Sequence, residues 1–334
     1  MSQKHILILG SGSVGKRHAR NLSALGCRIS CMDPRADRRE DMASEVALAG
    51  RFESEAAAFE AASYDGVVIG SPPHVHVAQT LQALEAGCPV LLEKPVCPDL
   101  QGALKLKAAA DRSNVPVLMG YTWRWWPPLA DLRAWLSDNA IGRIHHVQFH
   151  MSAHLADWHP WERYQDFFMA QRELGGGALL DESHWIDLML WLFGMPDDVS
   201  GRIDKISSLE IDSDDNVDLI FGYESGPRVT MHLDLYGRPH EKFIRFVGEG
   251  GTIFWSAEPN QLSVSRSASP DWNRIDYTCE RNDMFFAVAR EFLATLNGVP
   301  VTTCRIEDGV KVLKVIDAAR TANQERRTIA IEGS

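Results

Sequence analysis

With 334 residues, 45% hydrophobic and 24% charged, the chain has an ordinary globular composition and length enough for one large domain or two smaller ones. Its formal net charge of -11 removes the basic footprint on which binding to nucleic acid or an anionic membrane rests. The apolar run Ile6 to Leu9 is too short for a secretory core or a membrane span, no later stretch reaches about 18 apolar residues, and the six cysteines show no CxxC spacing. A cytoplasmic protein with reduced thiols, and with neither nucleic acid nor membrane as partner, is therefore expected.

Residues His5 to Leu9 read as a short strand, followed by Gly10-Ser11-Gly12-Ser13-Val14-Gly15 and by helical spacing over Lys16 to Leu25. This is GxGxxG in strand, turn, helix context. The first glycine permits the tight turn, the second lets backbone approach a pyrophosphate, and the third allows close helix-strand packing. Gly10, Gly12, Ser13, Val14 and Gly15 are candidate dinucleotide contacts, against the alternative of an ordinary glycine turn. A second strand, Arg28 to Met32, ends at Asp33, roughly 20 residues beyond the turn, where a carboxylate accepts the ribose hydroxyls and repels a 2′-phosphate. That balance favours NAD. Arg35, Arg38 and Arg39 follow at once and keep NADP open; their other reading is the solvated start of a helix running to about Ala49.

Further strand-helix repeats follow: Gly66 to Gly70 then about His74 to Ala86, Val90 to Leu92 then Asp99 to Arg112, and Val115 to Gly120. Continuous Val, Ile and Leu strands alternating with helices indicate a parallel sheet covered on both faces. Ser71-Pro72-Pro73 closes one strand at the carboxyl edge. His76, early in the next helix, is either a cofactor or substrate contact or a packing and capping residue. Glu93-Lys94-Pro95 stands just past the apolar run Pro89 to Leu92. Open α/β sheets bind ligands at this edge, so Lys94 is the first candidate for substrate contact; the alternative is an exposed loop lysine paired with Glu93.

From Tyr121 the chain becomes an aromatic crossover containing Arg124, then a helix over about Leu129 to Asn139 and alternating strands at Ile144 to Met151, Val217 to Tyr223, Val229 to Tyr236 and Lys242 to Val247. Gly222 to Arg228 reads as a hairpin connection. Helical patterns over Met284 to Leu296 and Glu307 to Ala322 close the chain. The expected fold is α/β: a doubly wound parallel sheet over residues 1–121, and over 122–334 a substrate-binding and oligomerisation α+β domain on a largely antiparallel open sheet. One face of that sheet is left for a partner subunit.

The glycine run Gly175-Gly176-Gly177 leads into Leu179 to Phe193, apolar on nearly every side and hence read as one buried helix carrying Asp181, His184 and Asp187. Each acidic residue is three positions from the histidine and shares a face with it. The imidazole is thus an oriented proton acceptor or a satisfied structural histidine. No zinc-ligand spacing is present, and no metal is expected.

Taken together, Gly10-x-Gly12-x-x-Gly15, Ser71-Pro72-Pro73-x-x-His76, Glu93-Lys94-Pro95, Arg124 and the glycine run before Asp181, His184 and Asp187 resemble the family of glucose-fructose oxidoreductase, inositol dehydrogenase and MocA. The resemblance spans nearly the whole chain. It implies a Rossmann domain, a second α/β domain whose open sheet often joins subunits, and hydride transfer between NAD(P) and a secondary alcohol of a sugar, cyclitol or nucleotide sugar. It implies cofactor contacts from the glycine turn, Asp33 and the Ser71 loop, to which Arg35, Pro72, His76, Glu93 and Lys94 are added. It further implies a catalytic Lys94, an acid/base or substrate role for His184 with Asp181 beside it, and substrate contact from Arg124. The family commonly spaces its aspartate and histidine as Asp-x-x-x-His; here the interval is one residue shorter, which on a continuous helix swings the histidine by about 100°.

The segment Asp157 to Tyr164, with the Ser183-His184 form of the helix motif, looks like a branch associated with surface polysaccharides and unusual sugars. Trp158 and Tyr164 supply aromatic faces suited to sugar C–H groups. The resulting expectation is an NAD(P)-dependent homodimer or homotetramer acting on a sugar or nucleotide sugar. The alternatives are an inositol or free-sugar dehydrogenase and a non-catalytic dinucleotide-binding regulator.

Overall fold

The computed structural model describes residues 3–158, 162–266 and 269–332. The chain divides into two compact units, Met1–Trp125 with Glu280–Val310 and Trp126–Cys279 with Lys311–Ser334.

The first unit carries strands β1 (His5–Leu9), β2 (Arg28–Met32), β3 (Leu48–Phe52), β4 (Gly66–Ile69), β5 (Val90–Leu92) and β6 (Val117–Met119). They form one sheet in the order β3-β2-β1-β4-β5-β6, and every neighbouring pair is parallel. This is the doubly wound order, whose strand sequence reverses between β1 and β4 and opens a crevice at the carboxyl edge there. Helices α1 (Ser13–Ala24), α2 (Ala36–Glu45), α3 (Glu55–Ala61), α4 (His76–Glu85) and α5 (Leu100–Ser113) connect the strands. Residues Ile6 to Leu9, Val67 to Ile69 and Val90 to Leu92 are fully buried, as strands covered on both faces must be.

The helix expected to run to about Ala49 ends at Glu45, where Val46 turns extended, and β3 and α3 follow instead. Strand β3 reads Leu-Ala-Gly-Arg-Phe and lies at the sheet edge with alternate residues exposed. It lacks the apolar run that marks the inner strands.

The second unit carries α6 (Pro127–Ser137), α7 (Ala178–Asp181) and α8 (His184–Phe193). Its strands are β7 (Ile144–Ser152), β8 (Asp198–Asp204), β9 (Asn216–Gly222), β10 (Arg228–Asp234), β11 (Glu241–Gly248), β12 (Gly251–Ser256), β13 (Gln261–Arg266), β14 (Ser269–Asp276) and β15 (Ile329–Ala330). They build a nine-stranded sheet in the order β14-β13-β12-β11-β7-β10-β9-β8-β15. Strands β7 and β10 run parallel and the other neighbours antiparallel. Val147, Phe149, Val217, Leu219, Val229 and Met231 face the core, and Trp185 of α8 packs edge-on against Phe149 with ring centroids 6.3 Å apart. On the opposite face His232 bridges Asp234 at 3.0 Å and Asp218 at 2.7 Å, and the hydrogen bond to Asp234 lifts its pKa to about 9.

Strands β8 and β12 to β15 had no counterpart in the sequence reading. Sequences such as Gln-Leu-Ser-Val-Ser-Arg and Ser-Pro-Asp-Trp-Asn-Arg-Ile-Asp put short polar residues at the solvated positions and resemble loops.

Two helices lie between β14 and β15: α9 (Arg281–Leu296) and α10 (Ile306–Glu325). Asp283 accepts the N–H of Glu280 at 2.8 Å and so satisfies a donor at the start of α9. The apolar face of α9, with Val288, Ala289 and Phe292, joins Ile6, Ile8, Leu22 and Ile29 in the core of the first unit. Residues 280–310 therefore depart from the division expected after residue 121. The helical period was visible in the sequence; the sheet it covers was not.

Phe292 is fully buried in this core. Phe292→Ala is expected to destabilise the first unit by about 3–5 kcal/mol in denaturant unfolding. A loss below about 1 kcal/mol would contradict the place given to α9.

Candidate functional site

In the first unit the glycine turn joins β1 to α1. A β-carbon on Gly15 would lie 1.8 Å from the carbonyl oxygen of Gly10, so only glycine lets α1 start this close to the strand. A β-carbon on Gly12 would meet nothing within 4 Å, and no side chain caps the start of α1. Open space in front of uncapped helix N–H groups fits a pyrophosphate. Ser13 and Val14 form that first helical turn.

Asp33, at the end of β2, accepts the N–H of Ser11 at 2.8 Å and that of Arg35 at 2.9 Å. The carboxylate is thereby fixed against the glycine turn, where a ribose diol would sit. Arg35 forks onto Asp37 at 3.1 and 2.5 Å, and Arg39 donates to the carbonyl of Asp33 at 2.5 Å. The residues present thus fit a dinucleotide with an unphosphorylated ribose.

The loops after β4 and β5 are tied together at the same edge. His76 is fully buried, with Nδ1 2.9 Å from the carbonyl oxygen of Pro95 and Nε2 2.8 Å from that of Ser71. Both ring nitrogens face main-chain carbonyls, one of which takes the single N–H of the neutral ring, so His76 braces two loops, the packing alternative of the sequence reading, and turns no polar atom toward a cofactor. The Ser71 hydroxyl donates to Gln79 Oε1 at 2.5 Å, and Pro72 follows half-buried. Glu93 is also turned inward: it is buried, and its carboxylate lies 2.7 Å from His18 Nε2. A direct cofactor contact from its side chain is not supported. Lys94, next in the chain, is half-buried. Arg124 is 8% exposed and donates to the carbonyl of Thr303 at 2.8 Å beside Asp308 at 3.3 Å, an anchor for the returning segment rather than an open substrate contact.

In the second unit the expected single helix is broken. α7 ends at Asp181 and α8 begins at His184; between them the N–H of Ser183 turns to the carbonyl of Leu180 at 3.3 Å, a tighter turn than the helical ladder makes. The N–H of Trp185 reaches the carbonyl of Glu182 at 3.0 Å across the break. The angular argument from Asp181 to His184 requires a continuous helix and does not apply, whereas His184 and Asp187 share α8. Asp181 and Asp187 are buried and His184 is half-buried.

The glycine run has a packing cause that the sequence did not disclose. Gly177 has φ +110°, and a β-carbon there would lie 2.4 Å from Asp214 Oδ1. Asp214 accepts the N–H of Leu179 at 2.8 Å, and burial raises its carboxyl pKa. Tyr164 accepts the N–H of Glu210 on its hydroxyl at 3.2 Å, and Trp158 is half-buried. His159, Pro160 and Trp161 of the aromatic segment lie outside the described residues. Among the described residues no group of three or more His, Cys, Asp or Glu side chains is arranged to hold a metal, and no helix is long and apolar enough to cross a membrane.

Residues 4–121 match a family model described as "Oxidoreductase family, NAD-binding Rossmann fold", and residues 129–254 match the GFO/IDH/MocA C-terminal domain. The chain is 30% identical over 201 residues to the rhizopine catabolism protein MocA of Rhizobium meliloti, a match spanning 58% of this chain and 58% of that protein. It is 24% identical over 294 residues to scyllo-inositol 2-dehydrogenase (NADP(+)) IolW of Bacillus subtilis, covering 80% of this chain and 78% of that one. Its fold is similar to that of a levoglucosan dehydrogenase solved with NADH, with a TM-score of 0.87, 17% identity and 99% of each chain covered.

Burial holds the His76 pKa below 6.5 although both carbonyls favour the protonated ring. The unfolded chain therefore binds more protons just below pH 6.5, and stability is lost as pH falls through that window. His76→Gln is expected to shrink the loss of denaturant midpoint between about pH 7.5 and about pH 5; His5, His150 and His154, whose pKa values are also lowered, act in the same direction, and His232, raised to about 9, acts against them.

Proposed function

The chain belongs to the GFO/IDH/MocA oxidoreductase family, with an NAD-binding Rossmann domain, and from that membership we propose that it transfers hydride between NAD and a secondary alcohol of a sugar, cyclitol or sugar derivative. The observation that carries the reading is Lys94, which follows β5 at the carboxyl edge that also holds the glycine turn, Asp33 and the Ser71 loop. The nicotinamide, when bound, supplies the hydride acceptor or donor. Gly12, Ser13 and Val14 hold the pyrophosphate through backbone N–H groups, and Asp33 takes the ribose hydroxyls.

Lys94 orients the carbinol oxygen and stabilises the negative charge that grows there as its proton departs. His184 is the proposed proton acceptor, with Asp181 or Asp187 holding the imidazole, and Trp158 and Tyr164 are the proposed sugar-facing aromatics. The aligned relative named as a scyllo-inositol 2-dehydrogenase is the reason to test inositols first; a nucleotide sugar stands second. A dinucleotide-binding regulator is the alternative of another class, and it has no use for a proton acceptor. The free thiols of the described cysteines support a cytoplasmic location, and the open face of the nine-stranded sheet supports a homodimer or homotetramer.

Initial rates read from nicotinamide absorbance, over inositols, free sugars and nucleotide sugars with NAD and NADP, test the reading. Lys94→Ala is expected to lower kcat by about 10²–10³-fold with NADH affinity unchanged; equal loss of both would move Lys94 into cofactor binding. Asp33→Ala removes charge-assisted hydrogen bonds to the ribose and the repulsion of a 2′-phosphate. NAD affinity is expected to fall about tenfold or more, and the preference over NADP to disappear, in a fluorescence titration of the two reduced dinucleotides.

A further inference from the structure

The carboxylate of Glu93 is buried at 6% exposure, and its partner His18 is 0% exposed. Nε2 of His18 lies 2.7 Å from Glu93 Oε1. His18 stands on the buried face of α1 with Gly15, Ala19 and Leu22, so the helix that starts at the glycine turn contacts the residue that ends β5. Glu93 is fixed from other sides as well. Its N–H donates to the carbonyl of Ile69 at 3.0 Å, and its Oε2 accepts the N–H of Lys94 at 3.3 Å. Room for the carboxylate is kept by Gly120, where a β-carbon would stand 2.9 Å from Glu93 Cδ. The imidazole meets the edge of Phe285, with ring centroids 5.6 Å apart.

A buried carboxylate that loses a donor this close must turn toward water or take up a proton. The first response moves the backbone it shares with Lys94, and the second removes a negative charge next to that lysine. We propose that His18 is a positioning residue: through its hydrogen bond to Glu93 it sets where Lys94 leaves the end of β5. The inference rests on the reading of Lys94 as the catalytic group. It also links the element that receives the pyrophosphate to the element that carries the lysine, through one buried contact.

The test compares His18→Leu, which removes the polar atoms at similar volume, with His18→Gln, which keeps a donor near the position of Nε2. Lys94 is labelled by reductive methylation in the full chain without dinucleotide, and its rate is read by peptide mass spectrometry against the exposed Lys105 and Lys311. In His18→Leu the relative rate is expected to change by about threefold or more, and in His18→Gln to return close to wild type. Where a substrate turns over, kcat is expected to fall about tenfold or more in His18→Leu with little change in KM for NAD. Glu93→Gln takes the place of His18→Leu if that protein does not fold, with the same expectation.

Unchanged Lys94 labelling in the folded variant, or a Gln variant as altered as the Leu variant, would overturn the proposal. A labelling response in a protein without turnover on any substrate, wild type included, keeps the coupling and removes the dehydrogenase reading. Wild-type turnover with no labelling response does the reverse.

Discussion

The approach of Gly15 to the carbonyl of Gly10 governs the first unit, because the distance at which a β-carbon would stand, 1.8 Å, is far inside any atomic contact. With hydrogen in that place α1 starts against β1. Three consequences follow from the resulting position of the helix. Its opening N–H groups face the space in front of Gly12. The turn lies near enough to β2 for Asp33 to take the N–H of Ser11. Further along, His18 reaches Glu93. The glycine turn, the Asp33 carboxylate and the strand end that carries Lys94 are thus set by a single packing distance.

The second unit solves a different problem, the placing of an acidic run that goes from the exposed Asp212 to the fully buried Asp215. Asp212 accepts the N–H of Arg172, Asp214 that of Leu179, and Asp215 that of Ile206. One short acidic run therefore holds the segment before the glycine run, the start of α7 and the loop after β8. Backbone donors satisfy these oxygens at less entropic cost than long side chains would, since the donors are already ordered. Gly177 is the close-approach point of this clasp. The break between α7 and α8 follows it in sequence, and it leaves His184 at the first position of a helix whose next turn carries Asp187.

What was legible in the sequence follows from which interactions are local. Strands β1, β2 and β5 were visible as apolar runs because both their faces are covered, and the glycine turn with Asp33 was visible because its geometry admits few residues. Strands β3, β8 and β13 to β15 were not, since edge positions or one solvated face remove the apolar signal, and in β12 the apolar part is only Ile253 to Trp255. The return of α9 to the first core depends on tertiary packing that periodicity does not encode. His18 carries a weak signal in the sequence: three positions beyond Gly15, it falls on the buried stripe of α1. His76 stands near the ligand edge in the sequence, and of its two carbonyl partners Ser71 is five residues away while Pro95, on the neighbouring loop, is reached only through the fold.

The central claim, that this chain moves hydride from a carbinol carbon to nicotinamide, is tested most directly by isotope transfer. The purified protein is incubated with NAD and myo-inositol bearing deuterium on every carbon, then with similarly labelled free and nucleotide sugars. The account predicts reduced dinucleotide carrying one transferred deuterium with at least one of these substrates. Saturable NAD binding with no labelled product from any of them would contradict it and leave the dinucleotide-binding regulator as the reading.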